Sequence, residues 1–218
     1  CSQEVDDIAA ITGTDVDIDV ADADVDVDVA PQEGSLTGKL LVAAPNLDDP
    51  YFGGTVIFML ADDEDGALGV VLNRPRGAVV HGSALAHLWD GGPVGRDRVF
   101  VLHDDLKSTG SVIINGVAVA AEPSILDAVM EGNGPDHARV FVGYAGWGPE
   151  QLKGEIERGA WLVADADPST VLSDDTAAVA RDAYMHAHRP AATAAPSTDG
   201  DDDDDHDEHD AASTIYTR

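Results

Sequence analysis

The distribution of acidic residues along the chain limits most strongly what it can fold into. Residues 1–35 carry eleven Asp and Glu residues and no Lys or Arg, and residues 190–218 carry nine acids and one base, Arg218. These two ends hold 20 of the 42 acidic residues of a 218-residue chain whose formal net charge is −30. Such segments repel themselves and cannot bury enough apolar surface to fold. We therefore predict disordered acidic tails at 1–35 and 190–218 around one folded domain at 36–189, which is long enough for its own core.

Residues 14–30 read TDVDIDVADADVDVDVA, an alternation that is formally typical of a β-strand. Asp is depleted in strands, however, and like charges on one face of a strand repel each other. We interpret the segment as expanded, the alternative being an edge strand that orders only with a cationic partner or a metal. The spacing from Asp22 to Glu33 resembles a calcium-binding loop, but Val27 stands where the sharp turn needs Gly.

The chain has one cysteine, Cys1, so an internal disulfide is impossible. We expect Cys1 to mark the end of a fragment, the alternative being the lipidated start of a processed lipoprotein. No apolar run approaches the ~18 residues that a membrane-spanning helix needs, and the acidic start does not have the form of a signal peptide.

Apolar periodicity and turn residues predict several hairpins and a few short helices. Predicted strands cover residues 40–44, 55–60, 67–72, 98–103, 139–142 and 161–164, with two more around a turn at Asn115-Gly116 within 110–120. Predicted helices cover residues 83–90 with Ser83 as cap, 123–131, 150–158 with Pro149 in its first turn, and 173–188 with Ser173 as cap. This order of elements favours an α+β domain over a βαβ repeat.

Four motif blocks carry a resemblance to a known family. They are the run LLVAAPNLDDPYFGGTVIFMLADDEDGALGVVLNRP from Leu40 to Pro75, Gly91-Gly92-Pro93-Val94 with Val101-Leu102-His103, Gly143-Tyr144-Ala145-Gly146-Trp147 with Gln151-Leu152, and Glu155 with Trp161-Leu162. In order and spacing these blocks resemble the YqgE/AlgH family, with small departures at Pro149-Glu150 and Gly154. The resemblance implies a cytoplasmic bacterial protein with a single α+β domain, built on a mixed, largely antiparallel, barrel-like β-sheet flanked by short helices. It implies no reaction, although some family members are labelled transcriptional regulators.

Motifs that would bind phosphate or metal, or supply a nucleophile, are incomplete. Residues 34–39 resemble a P-loop but are one residue short, and Leu40 replaces the Ser or Thr that would hold magnesium. Residues 143–147 resemble a nucleophile elbow without a Ser or Cys inside it. His81 and His87 are spaced too far apart for a helical metal pair, and His206 and His209 would associate only loosely with metals. We expect no cofactor and no structural metal.

Charge also disfavours direct DNA binding. A specific DNA-binding protein typically neutralises ~6–10 phosphates. The domain has 11 bases scattered among 22 acids. Its two close arginine pairs, Arg74 with Arg76 and Arg96 with Arg98, suit a small anionic ligand or an acidic protein partner better than a duplex.

The polar and aromatic residues at turns of the motif blocks are the candidate functional surface. They are Asp49, Asn73, Arg74, His103, Tyr144, Trp147 and Gln151. Our first hypothesis is a non-enzymatic binding or regulatory protein, without membrane association. The alternatives are an enzyme that uses His103 and Asp49 in acid–base chemistry, and an indirect transcriptional regulator.

Overall fold

A computed structural model describes residues 28–29, 34–81 and 84–188. It shows an α+β domain built on one curled sheet, as the resemblance implied. The strands among these residues are β1 Asp28–Val29, β2 Lys39–Ala43, β3 Val56–Asp63, β4 Gly66–Val71, β5 Pro75–His81, β6 Ala84–Asp90, β7 Val94–His103, β8 Ser111–Ile114, β9 Val117–Ala120, β10 Ala138–Trp147 and β11 Trp161–Asp165. The helices are α1 Pro123–Glu131, α2 Gln151–Glu157, α3 Pro168–Val171 and α4 Thr176–Ala187.

Strand β10 connects the two halves of the sheet. The path runs β1-β8-β9-β7-β10-β4-β3-β2-β11, and the β5–β6 hairpin joins it through β6. The first part of β10 pairs antiparallel with β7 and parallel with β6, and its last three residues pair antiparallel with β4. The parallel pairs of β10 with β6 and of β1 with β8 make the sheet mixed, while the other pairs are antiparallel.

The apolar residues divide into three clusters that follow the two faces of the sheet. The largest lies inside the curl, where Phe58, Phe100 and Phe141 pack with Val179 of α4. The second lies under α2, where Leu152 meets Met59 and the tryptophans Trp147 and Trp161. In the third, α1 packs Leu126 and Met130 on Val101 and Val140. Because successive side chains of a strand point to opposite faces, the strands place apolar side chains on both faces of the sheet, and helices cover more than one side of it.

The predicted helix at 83–90 is wrong, because residues 84–90 form strand β6. Leu88, Trp89 and Asp90 pair in register with Val140, Phe141 and Val142 of β10. The Ser and Gly residues that favoured a helix cap and stop also suit the ends of a strand, so local pattern did not separate the two. Pairing with β5 and β10 decided the outcome.

Two predicted helix starts also need correction. Glu150, at φ 59°, is the N-cap of α2, so Pro149 precedes the helix and does not lie in its first turn. Asp175, not Ser173, caps α4: its Oδ1 accepts bonds of 3.0 Å from the amides of Ala177 and Ala178. A separate short helix, α3, occupies part of the segment before it.

The predicted tails fall almost entirely outside the described residues, as do the calcium-loop pattern, His206 and His209. Asp28 and Val29 are described, and they pair in parallel with Ile113 and Ile114 of β8. The expanded interpretation of 14–30 is wrong for these two residues. Further along, the Leu36 amide donates a bond of 2.7 Å to Asp62 Oδ2.

Two glycine-containing motif blocks meet backbone to backbone where β6 gives way to β7. A Cβ on Gly92 would overlap the carbonyl group of Tyr144 and the amide nitrogen of Ala145. On the other side, Gly143 has φ 74° and lies against the carbonyl oxygens of Gly92 and Val94. Only glycine permits this approach, which explains why both blocks contain it.

We predict that Gly92→Ala lowers the free energy of unfolding by about 3 kcal/mol, because the rigid backbone opposite cannot yield to a methyl group. Urea unfolding measures the change. Gly148→Ala is the matched control, since a Cβ there meets nothing closer than 3.9 Å. Equal effects of the two substitutions would contradict the close approach.

Candidate functional site

The turn at residues 49–54 presents two aromatic side chains to different surroundings. Asp49 Oδ1 accepts bonds from the amides of Tyr51 at 2.8 Å and Phe52 at 2.7 Å, so it fixes the turn. Tyr51 points to a group of charged residues, whereas Phe52 packs against Trp147 and Trp161. The role of Asp49 is therefore that of a turn cap.

Tyr51, Arg74, Asp90 and Arg96 form what we call the arginine–tyrosine cluster. The Tyr51 hydroxyl donates a bond of 2.9 Å to Asp90 Oδ1. The Arg74 guanidinium lies over the Tyr51 ring, 4.3 Å from its centroid, and donates to the Tyr51 carbonyl oxygen. Arg96 Nη2 lies 3.6 Å from Asp90 Oδ2. One carboxylate is thus shared between a phenol and a guanidinium, and the cluster keeps a net positive charge.

The electrostatics of the cluster hold Tyr51 in its neutral form. Partial burial raises the pKa of the Tyr51 phenol, and the bond to Asp90 and its negative charge raise it further, while Arg74 acts in the opposite direction. The hydroxyl therefore stays a hydrogen-bond donor at neutral pH, which keeps Asp90 in position.

Arg98 extends the positive surface along β7. It lies two residues beyond Arg96 and so shares a strand face with it. The Arg98 guanidinium carbon is 6.0 Å from the centroid of the Tyr144 ring. Of the four arginines singled out in the sequence, Arg74, Arg96 and Arg98 thus meet Tyr51, Asp90 or Tyr144, while Arg76 lies exposed in β5.

Trp147 and Gln151 belong to a separate aromatic group around Glu155. Glu155 Oε2 accepts bonds from the indole nitrogens of Trp147 at 3.0 Å and Trp161 at 2.8 Å. Glu155 Oε1 accepts a bond of 3.0 Å from Gln151 Nε2, and Gln151 Oε1 accepts one from the Gly148 amide. Both tryptophans are buried. These contacts give Trp147 and Gln151 structural roles in attaching α2 to the sheet.

The polar atoms of Asn73 and His103 are engaged in hydrogen bonds within the fold. Asn73 bridges backbone, accepting from the Val56 amide at 3.0 Å and donating to the Gly54 carbonyl at 2.9 Å. His103 is 0% exposed, and its Nε2 lies 3.0 Å from Ser111 Oγ. Burial lowers the pKa of His103, although Asp105 and Asp104 oppose the change. His103 and Asp49 lie in separate hydrogen-bonded groups, so the geometry does not pair them for acid–base chemistry.

Sequence reasoning missed Arg139, a fully enclosed charge. Its Nη1 and Nη2 donate to the carbonyl oxygens of Val171 at 2.6 Å and Leu72 at 2.7 Å. Its guanidinium carbon lies 3.8 Å from the centroid of the Trp89 ring. Burial lowers the Arg139 pKa to about 10, with Asp174 opposing the change. The sequence signal that could have revealed this buried charge is a single arginine inside the apolar run of β10.

Within the described ranges, no three Cys, His, Asp or Glu side chains are grouped closely enough to hold a metal ion. In the same residues, no helix is both long and apolar enough to cross a bilayer.

The domain is a small α+β protein with one curled mixed sheet and short helices. Its Asp-Pro-x-Phe element forms the 49–54 turn, and its GGPV and GYAGW elements meet where β6 gives way to β7. Residues 40–190 match the profile of the DUF179 family, described as AlgH-like. The chain therefore belongs to the AlgH-like family, which confirms the resemblance.

Relatives and solved structures agree with this assignment. A UPF0301 protein of Methylococcus capsulatus is 37% identical over 168 residues, covering 71% of this chain and 92% of the relative. One of Ruegeria pomeroyi is 40% identical over 152 residues, covering 62% and 83%. The solution structure of AlgH from Pseudomonas aeruginosa matches with a TM-score of 0.62 and 30% identity, covering 74% of this chain and 93% of that one. A crystal structure of a Corynebacterium diphtheriae protein matches with a TM-score of 0.57 and 26% identity, covering 75% and 92%.

We predict that His103→Gln weakens the loss of stability on mild acidification. Because the folded state lowers the His103 pKa below its ordinary value near 6.5, the unfolded chain takes up a proton first as pH falls. The stability that the neutral imidazole contributes is thus complete above that value and declines below it. Urea unfolding at pH 7.5 and at pH values down to 5 measures the slope. His87→Gln, at an exposed position of β6, is the control, and equal slopes in all three proteins would contradict the prediction.

Glu155→Ala should lower the free energy of unfolding by about 2–4 kcal/mol, because it leaves two buried indole N–H groups without their acceptor. Chemical denaturation followed by tryptophan fluorescence provides the measurement. Glu157→Ala, an exposed position of the same helix, should change stability by no more than about 0.5 kcal/mol. A small effect of Glu155→Ala would show that water replaces the carboxylate.

Proposed function

We propose that this protein is a cytoplasmic, non-enzymatic binding or regulatory protein. In this proposal the arginine–tyrosine cluster and Arg98 bind the anionic group of a small ligand or of an acidic protein partner. The observation that carries the proposal is a local reversal of charge. Arg96 pairs with Asp90 directly, Arg74 is linked to the same aspartate through Tyr51, and Arg98 lies two residues beyond Arg96 on β7, in a domain with 22 acids and 11 bases.

The fixed geometry of the cluster supports recognition of a carboxylate or phosphate. Arg74 is held by the Tyr51 ring and the Tyr51 carbonyl oxygen, so little side-chain entropy remains to be lost on binding. Arg96 is 51% exposed, and its contact to Asp90 is long, at 3.6 Å. A guanidinium carries five N–H donors in a planar fork that matches a carboxylate or phosphate with two parallel bonds. Arg96 is therefore the residue best able to turn toward an incoming anion.

The same features argue for a compact ligand and against a duplex. Three arginines fall short of the ~6–10 phosphate contacts that specific DNA binding typically uses. Any effect on transcription would then be indirect, through a bound ligand or an acidic protein. Trp147 and Asn73 support this surface by fixing the 49–54 turn, since Trp147 stacks on Phe52 and Asn73 bonds to Gly54 and Val56.

Titration of the isotopically labelled protein with citrate and inorganic phosphate tests the proposal by NMR. Citrate should shift backbone resonances of β7 and of the 49–54 turn. Arg96→Gln should weaken that binding roughly tenfold, the effect of losing a charge-assisted hydrogen bond worth about 1.4 kcal/mol. Arg158→Gln removes the same charge from the exposed end of α2 and should leave affinity nearly unchanged.

Two outcomes would reject the proposed site. Equal weakening by Arg96→Gln and Arg158→Gln would mean that citrate responds only to net charge. Shifts confined to residues outside β7 and the 49–54 turn would place anion binding elsewhere.

A further inference from the structure

A groove of about 360 Å³ lies between helix α4 and the sheet, apart from the arginine–tyrosine cluster. Val42, Ala43 and Val56 form its floor at the adjoining ends of β2 and β3. Tyr184 and Met185 form the wall on α4. The volume falls within the range of ~300–1,000 Å³ typical of small-molecule sites.

The α4 wall of the groove exposes apolar surface that the fold itself does not cover, whereas the floor residues are buried. Val179 and Ala183 on the opposite side of α4 are fully buried. Met185 is 65% exposed and Tyr184 41% exposed, which places them among the large apolar side chains most open to solvent in the described ranges. Tyr184 is held by its ring contact with His188, whose ring centroid lies 4.1 Å away. The wall is therefore ordered by the helix while its apolar face remains open.

One cation lies on the rim of this apolar surface. Arg181 lines the groove, and its side chain is 65% exposed. Its ion pair with Asp182, at 3.2 Å, joins two adjacent exposed residues, and exposed pairs of this kind contribute little to stability. Arg181 can therefore turn from Asp182 to a ligand carboxylate at small cost. Thr55, which also lines the groove, is buried and donates its hydroxyl to the Phe52 carbonyl at 2.8 Å.

We propose that this groove binds a small amphipathic anion, an aliphatic chain that ends in a carboxylate. The chain packs mainly against Met185 and Tyr184, above the buried floor at Val42, and the carboxylate pairs with Arg181. The lining residues set this choice, because an uncharged hydrocarbon leaves Arg181 unpaired with the ligand, and a compact polar anion leaves the exposed apolar side chain of Met185 uncovered. The site shares no residue with the arginine–tyrosine cluster and takes a ligand of a different class.

The methionine methyl groups of the full chain provide a direct test. The chain has three methionines, and Met59 and Met130 are buried far from solvent while Met185 lies in the groove. In a carbon-13 methyl spectrum, octanoate should shift the Met185 signal, with a Kd on the order of 1 mM, and leave Met59 and Met130 in place. Octanol, which has the same chain length without the charge, should bind several-fold more weakly.

Arg181→Gln separates the ionic from the apolar contribution. The substitution should weaken octanoate binding about two- to fivefold, as expected for a partly exposed ion pair, and leave octanol binding unchanged. Met185→Ala cannot be read by its own methyl signal, so amide shifts of residues 42–43 and 54–56 follow binding in that variant, which should weaken both ligands.

Three results would overturn the proposal. One is no Met185 shift at several millimolar octanoate. A second is an equal response of wild type and Arg181→Gln to octanoate, which would leave an apolar surface without anion selection. The third is a Met185 signal that moves with protein concentration alone, which would mean that a second copy of the chain covers the groove. None of these results bears on citrate binding at the arginine–tyrosine cluster, so the two proposals fail separately.

Discussion

The contact between the Gly91–Gly92 and Gly143–Ala145 backbones is the constraint on which the rest of this structure depends. At Gly143 the pairing of β10 with β6 has ended and its pairing with β7 shifts in register, and from Ala145 onward the strand pairs with β4. The crossing has no room for a side chain at Gly92. Asp90 immediately precedes the contact, Tyr144 is part of it, and Trp147 lies three residues beyond Tyr144. Both the charged cluster and the aromatic group around Glu155 are therefore held in place by the same glycine contact.

Two charged side chains, the buried Arg139 and the half-buried Glu155, join elements of the fold by hydrogen bonds. Arg139 joins β10 to the end of β4 through Leu72 and to α3 through Val171. Glu155 joins α2 to β10 and β11 by accepting from both tryptophans. A buried charge is tolerated only where its donors or acceptors are met, and each of these groups meets several. Their contribution is specificity of arrangement, since they fix which surface elements lie next to each other.

The sequence predicted the elements whose pattern is local and missed those decided by distant partners. The hairpin around Asn115-Gly116 and the helix at 123–131 were predicted correctly because turn chemistry and apolar spacing define them within a few residues. Strand β6 was mistaken for a helix because its identity comes from pairing with β10, more than fifty residues away in the chain. For the same reason the sequence could group Arg96 with Arg98 but could not reveal that Asp90 and Tyr51 link Arg96 to Arg74.

Most of the motif residues have structural roles, so fewer of them remain available to contact a ligand. Asp49, Asn73, Trp147 and Gln151 direct their polar atoms to the turn, the backbone and Glu155. Anions approaching the domain meet a chain with a net charge of −30, so long-range attraction cannot bring them in. Over the ~8 Å across which charge acts at physiological salt, however, the guanidiniums of Arg74 and Arg96, which are linked through Tyr51 and Asp90, outweigh the single charge of Asp90. Recognition at such a surface therefore depends on short-range, paired hydrogen bonds. This favours a ligand whose anionic group fits the geometry of the guanidiniums over one attracted by net charge alone.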